Sequence, residues 1–182
     1  MIAIDMHAHV PRNPNLPEVE EEEYLKRYFK ANDVPKDSHD MASKYKKWDM
    51  LAVIFSVDTQ TSTGDAPDGN EYVADIAKKY PEQFIGFATI DPWMGNAAVL
   101  EIERSVSLGL KGLKLHPIHQ AFHPNDSRFY PIYQKCSDLE IPVLFHTGYA
   151  AVGTGMPGGG GFKLKYAAPI PAIDDIAADF PS

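Results

Sequence analysis

The chain has 182 residues, 44% hydrophobic and 23% charged, with a formal net charge of −8 at pH 7 and one cysteine, Cys136. That content supports a substantial core and excludes disorder, while the acidic balance excludes a sequence-independent affinity for nucleic acid or an anionic membrane surface. A lone cysteine rules out an intrachain disulfide and suits a reducing cytoplasm, and no apolar run nears the roughly 18 residues of a membrane span, so a soluble cytoplasmic protein is expected.

In chain order, an apolar run from Met1 to His9 is the first predicted strand, with no basic leader before it. A turn at Pro11, Asn13 and Pro14 leads to a predicted helix over 18–32, acidic at its start and basic at its end, the order a helix dipole favours. A second helix is expected over Ser38–Lys47, with Ser38 as N-cap. The β-branched run Leu51–Val57 predicts a buried strand, the polar stretch 58–70 a loop, and Glu71–Tyr80 a helix ended by Pro81. Phe84–Ile90 is the third predicted strand, closed by Asp91-Pro92. A helix from Asn96 to Leu108 stops at Gly109. Gly112–His116 is a fourth strand, 126–139 a helix, and Pro142–Thr147 a fifth strand. The glycine-rich stretch Gly153–Gly161 precedes a last helix over Ala172–Ala178. It lacks the Lys-Ser/Thr of a phosphate loop and reads as a mobile loop.

Five strand-then-helix units with no hairpin signal specify one α/β domain over 1–182, a parallel sheet covered by helices. Either a doubly wound sheet or a (β/α)8 TIM barrel satisfies this alternation. No strand runs into a Gly-x-Gly-x-x-Gly turn, which disfavours a nucleotide-binding doubly wound fold.

With a period of two, the first strand places Ala3, Asp5, His7 and His9 on one face. Ile2, Ile4, Met6 and Ala8 then face the helices. Two imidazoles two residues apart at a strand's C-terminal end can share one metal ion, or can be a hydrogen-bonded pair of core histidines. His116 and His146 fall at the ends of the fourth and fifth strands, each on the predicted inward face with Lys114 and Leu144 respectively. Four of seven histidines at the same mouth favour a metal or catalytic cluster.

Ile4-Asp-Met-His-Ala-His9, Phe84–Pro92, Gly109-Leu-Lys-Gly-Leu-Lys-Leu-His-Pro117 with Gln120 and Phe122, and Pro142-Val-Leu-Phe-His-Thr-Gly148 together resemble the amidohydrolase-related family. The branch resembled is that of aminocarboxymuconate-semialdehyde decarboxylase. The resemblance implies a (β/α)8 barrel with one divalent metal ion, most commonly Zn2+. It implies His7, His9 and His146 as ligands and His116 as a pocket residue. It also implies a decarboxylase, or alternatively a hydrolase of an amide, ester or lactone bond, acting on a small carboxylate-bearing organic substrate. The family's acid/base histidine on strand six and aspartate on strand eight have no counterpart up to Ser182. At about 36 residues per unit, eight units need roughly 290. The expectation is therefore the first five units of a barrel cut before strand six, with a non-catalytic fragment as the rival of another class.

Lesser candidates follow. Lys114 is expected in the substrate pocket, paired with Asp5 inside the barrel. Arg12 could meet a substrate carboxylate or be a solvated loop arginine. Trp93 could form a pocket wall, though most aromatic residues here are core. His119 and His123 extend His116 into a His-x2-His-x3-His run that reads as pocket rim. Asp91 caps a turn. A homodimer is an expectation the sequence leaves open.

Overall fold

A computed structural model describes residues 1–30, 33–167 and 170–181, without the side chains of residues 21 and 22. The elements are β1 (Ala3–His9), α1 (Glu20–Phe29), α2 (Ser38–Lys47), β2 (Met50–Phe55), a short α3 (Gln60–Thr63), α4 (Asn70–Lys79), β3 (Phe84–Gly86), β4 (Ala88–Thr89), α5 (Asn96–Ser107), β5 (Leu113–Leu115), α6 (Pro117–Gln120), α7 (Tyr130–Asp138), β6 (Val143–Phe145) and α8 (Ile170–Asp179). Every strand pairing is parallel, in the orders β1-β2-β3 and β4-β5-β6. The predicted strand 84–90 is thus divided at Phe87. Its backbone pairs with β2 before that point and with β5 after it. Main-chain bonds bridge the step: Phe87 N–H to the Ile54 carbonyl at 2.9 Å, Lys111 N–H to Gly86 at 2.8 Å, and Ala88 N–H to Gly112 at 2.7 Å. The five expected strands therefore form one continuous run in sequential order.

The outer face of this run carries Ala52, Ile54, Phe84, Ala88, Leu113 and Leu115. These pack against Tyr45 of α2, Val73 and Ile76 of α4, Ile102 of α5, and Ile132 and Tyr133 of α7 in the main core. The inner face carries a smaller cluster of Val53, Phe55 and Phe87, flanked by Ile85 and Leu144. The expected alternation in β5 and β6 is found: Lys114 lies beside Leu144, and Leu115 beside Phe145 in the outer set.

The alternation expected for β1 is not found. Asp5 is opposite Ala52, but Ala8, three residues on, is opposite Ile54, only two residues on. This bulge places one extra residue in β1 and reverses its faces. Before it, Asp5 points toward the helices with Ala52, and the Asp5 carboxylate accepts the Tyr45 hydroxyl of α2 at 2.7 Å. After it, Ala8 joins the main core and His9 lies beside Phe55 on the inner face. The expected Lys114–Asp5 ion pair is therefore absent, because the sheet separates the two side chains.

One local expectation also changes. Asp37, not Ser38, caps α2, its carboxylate accepting the Asp40 N–H at 2.8 Å. The end of the first predicted helix, at residues 31–32, lies outside the described residues. Asp91 does cap a turn, accepting the N–H groups of Trp93 and Thr61. No helix among the described residues is long and apolar enough to cross a membrane.

Candidate metal centre

The C-terminal ends of β1, β5 and β6 deliver His7, His9, His116 and His146 to one mouth. The Nε2 atoms of His7 and His9 stand 3.3 Å apart. Two nitrogens at about 2.0–2.1 Å from one tetrahedral zinc ion lie roughly 3.3 Å apart, so the pair has the spacing of two shared ligands. The same spacing accommodates one N–H···N hydrogen bond between neutral rings. The Phe55 ring makes edge contacts with both imidazoles, at centroid distances of 5.2 and 5.0 Å, and so limits their rotation.

His146 approaches His7 edge-on at 5.8 Å and stacks flat on His116, with centroids 4.0 Å apart and planes 9° from parallel. The His146 Nε2 rests 3.4 Å from the Tyr149 carbonyl oxygen. Among the described residues, no group of three or more His, Cys, Asp or Glu is arranged to hold a metal ion. The donor chemistry and the His7–His9 spacing fit a divalent ion; a third donor is near but is not aimed with them.

Burial shapes the electrostatics of this cluster. His9 is exposed as a residue, yet desolvation of its imidazole among the neighbouring rings lowers the pKa to about 3, with His7 and Lys114 adding to the effect. Burial likewise lowers His7 and His116, aided by Lys114 and His146 for the first and by His146 and His119 for the second. For His146 burial lowers the pKa while the Tyr149 carbonyl opposes it. All four rings are thus held neutral near pH 7, the form that ligates metals.

Gln120, quoted in the sequence motif but given no role there, locks the mouth together. It is 1% exposed. Its carbonyl accepts the His116 N–H at 2.8 Å, and its amide donates to the carbonyls of Asp58 at 2.8 Å and Ile90 at 2.7 Å. One side chain therefore ties together the ends of β2, β4 and β5. Its burial beside three strand ends is a tertiary fact that no local pattern signals.

A cavity of about 580 Å3 opens above the cluster, with His7, His9, His116, His119 and His146 along one wall. Arg12 also lines it, but its guanidinium is already engaged. It pairs with Asp68 at 3.3 Å and donates to the carbonyls of Ala66 at 3.0 Å and Pro17 at 3.4 Å. Lys114 is fully buried beneath the site, over the Phe55 ring at 5.0 Å, and its Nζ has no hydrogen-bond partner among the described residues. Burial lowers its ammonium to about 8. Trp93 lies away from the cavity lining, donating its indole N–H to the Gln120 carbonyl and packing on Phe129. His119 borders the cavity, and His123 is exposed beside Tyr166. Ala150 and Val152, just before the glycine-rich loop, form part of the cavity wall.

The family model described as Amidohydrolase matches residues 4–182. The 2-amino-3-carboxymuconate-6-semialdehyde decarboxylase of Dictyostelium discoideum is 24% identical over 78 residues, 42% of this chain and 22% of that protein. Among solved structures, an uncharacterized TIM-barrel protein from Bordetella bronchiseptica superposes with a TM-score of 0.74 at 23% identity, covering 99% of this chain and 64% of that one. A 5-carboxyvanillate decarboxylase from Novosphingobium aromaticivorans, complexed with manganese and 4-hydroxy-3-methoxy-5-nitrobenzoic acid, superposes at 0.51 with 17% identity, covering 79% of this chain and 49% of that one. These likenesses establish the fold: the parallel run is part of a (β/α)8 barrel, and the chain spans less than two thirds of these solved relatives.

Proposed function

This chain belongs to the amidohydrolase family, and from that membership we propose that it is a metal-dependent decarboxylase of a small, carboxylated organic molecule. We assign His7, His9 and His146 as the ligands and Zn2+ as the ion, since neutral imidazoles suit zinc and the single buried Cys136 offers no thiolate at the site. A divalent ion in such a place polarises a bound oxygen group and lowers the pKa of a bound water to roughly 7. The reading rests above all on the 3.3 Å separation of the His7 and His9 Nε2 atoms. The decarboxylases among the relatives favour carbon dioxide release over hydrolysis.

The chain's own residues prepare the site in three ways. Burial keeps the imidazoles unprotonated, so their lone pairs are available without first losing a proton. Phe55 braces His7 and His9, and the flat stack on His116 braces His146. Gln120 in turn holds the His116 backbone. The lone buried cysteine fits a cytoplasmic location.

The test is metal analysis of the protein after zinc loading and removal of loosely held ions, with His7→Ala and His146→Ala alongside. About one ion per chain is expected for the parent and a large loss in each variant. Equal metal content in all three would overturn the ligand assignment. Zinc retained without carbon dioxide release from any of a panel of hydroxybenzoates and unsaturated dicarboxylates would turn the reading to a hydrolase or to a fragment that only binds metal.

A further inference from the structure

The cavity over the histidines has a second wall, and it comes from outside the barrel. Leu25 and Phe29 of α1, with Val34 and Pro35 beyond it, face the imidazoles across the opening. These residues are apolar, yet Phe29 remains 60% exposed and Val34 47% exposed. Exposed aromatic and branched side chains on a short helix ordinarily find cover in the core. Here they line a concave space instead, which is the setting in which apolar surface serves a ligand.

The roof is tied down at its base and touched at its tip. Arg12 binds the carbonyl of Pro17, just before α1, and at the same time Ala66 and Asp68 of the loop after α3. At the far side, the Tyr24 ring of α1 comes within 3.4 Å of where a Cβ on Gly155 would lie, so α1 meets the glycine-rich loop. Lys36, also in the lining, forms no ion pair among the described residues and offers a positive charge at the rim to an incoming anion.

We propose that α1, together with Val34 and Pro35, forms a substrate-selecting roof, with Phe29 and Val34 as specificity-determining residues that grip the unsaturated or aromatic body of the substrate while its carboxylate faces the histidines. The proposal rests on the decarboxylase reading for the orientation of the carboxylate, and it adds which residues discriminate among carboxylates. An aliphatic acid too short to reach the roof gains nothing from these side chains, whereas a ring buries apolar surface against them.

The experiment compares benzoate with acetate by titration calorimetry or ligand-observed NMR, on the zinc-loaded chain and on the metal-free chain. The parent is expected to bind benzoate at least ~10-fold more tightly than acetate. Phe29→Ala should reduce benzoate affinity roughly 5-fold or more, and Val34→Ser by a smaller factor, with acetate affinity and zinc content unchanged. Because both side chains are exposed, the variants retain the fold, checked by circular dichroism. Equal affinity for the two acids in the parent, or variants that lose both acids alike, would overturn the roof as a selecting element. Failure to retain zinc would overturn the metal reading instead; the ring preference of the metal-free chain then decides the roof by itself.

Discussion

The Asp5 carboxylate accepts the backbone N–H of His7 at 2.9 Å, inside the bulge that turns His7 onto the inner face. The bulge removes that amide from the β1–β2 ladder, and Asp5 supplies the missing acceptor while its other oxygen holds the Tyr45 hydroxyl. Asp5 thus acts at a distance from the cavity by fixing where a candidate ligand points. Asp5→Ala is expected to cost about 1–2 kcal/mol, since it leaves a half-buried hydroxyl without its acceptor and the exposed His7 amide to water. Asp5→Asn keeps one acceptor oxygen and should cost less than half as much. Chemical denaturation gives the stabilities, and zinc competition with a chelator reads the aim of His7. Unaltered zinc affinity in Asp5→Ala would show that the bulge holds without Asp5.

Among the described residues, Lys114 presents a buried cation with an aromatic face as its sole compensation. Its pKa is lowered by burial from 10.5 to about 8 in the folded chain. Between those values the unfolded chain binds more protons than the folded one, so this residue's contribution to stability rises with pH from about 8 toward 10.5. Below pH 8 the folded state carries the full penalty, about 3 kcal/mol for a shift of this size. Lys114→Met keeps the volume and removes the charge, so the variant should be the more stable at pH 7 in the presence of a chelator. Its advantage should shrink as pH rises to 10. Cys136, raised by burial to about 12, erodes stability above pH 9 in both proteins, so the difference between them isolates the lysine. A constant difference from pH 7 to 10 would contradict this account.

Gln120 is tested by charge rather than size. Gln120→Ala leaves the His116 amide and two strand-end carbonyls without partners and should cost about 3–5 kcal/mol. In Gln120→Glu the carboxylate faces the carbonyl oxygens of Asp58 and Ile90, to which it cannot donate. The folded state then favours the protonated acid. The deficit against the parent should shrink as pH falls from 7 toward about 4, where a hydroxyl donor is restored. Urea midpoints at the two pH values, each relative to the parent, measure this. A deficit that does not change with pH would mean the side chain has moved out to water.

Much of the fold was legible because its signals are local. Alternating apolar runs and helix-like segments marked the parallel run, and histidines at strand ends marked the mouth. The period of two held for β5 and β6 and placed Lys114 and Leu144 correctly on one face. It failed in β1, since a bulge is set by pairing with a neighbouring strand and leaves no mark in Ile4-Asp5-Met6-His7. The same failure generated the Lys114–Asp5 pair. Arg12 and Trp93 were assigned to the cavity from their distance in sequence to the motifs. Arg12 does line the cavity, but its guanidinium is held by Asp68, whereas Trp93 lies outside the lining against Gln120, contacts between residues tens of positions apart. The roof over the cavity was hidden for that reason too: α1 carries an ordinary amphipathic pattern, and only tertiary placement turns Phe29 toward the histidines.

The inner face offers a last test in Gly112, where the backbone passes the Phe87 ring. A Cβ at Gly112 would lie 2.5 Å from two atoms of that ring, far inside van der Waals contact. Phe87 is itself buried against Val53 and Phe55, so the ring has little room to retreat. Gly112→Ala should therefore destabilise the chain by about 1–3 kcal/mol through overpacking. Phe87→Leu alone leaves a small cavity and should cost about 1–2 kcal/mol. Combined, the shorter side chain yields space to the new methyl group, and the double variant should be at least about 1 kcal/mol more stable than the two single losses would sum to. Denaturant midpoints for all four proteins complete the cycle. Strict additivity would mean that the strand carrying Gly112 shifts away as a unit, and that the close approach to Phe87 does not account for glycine at this position.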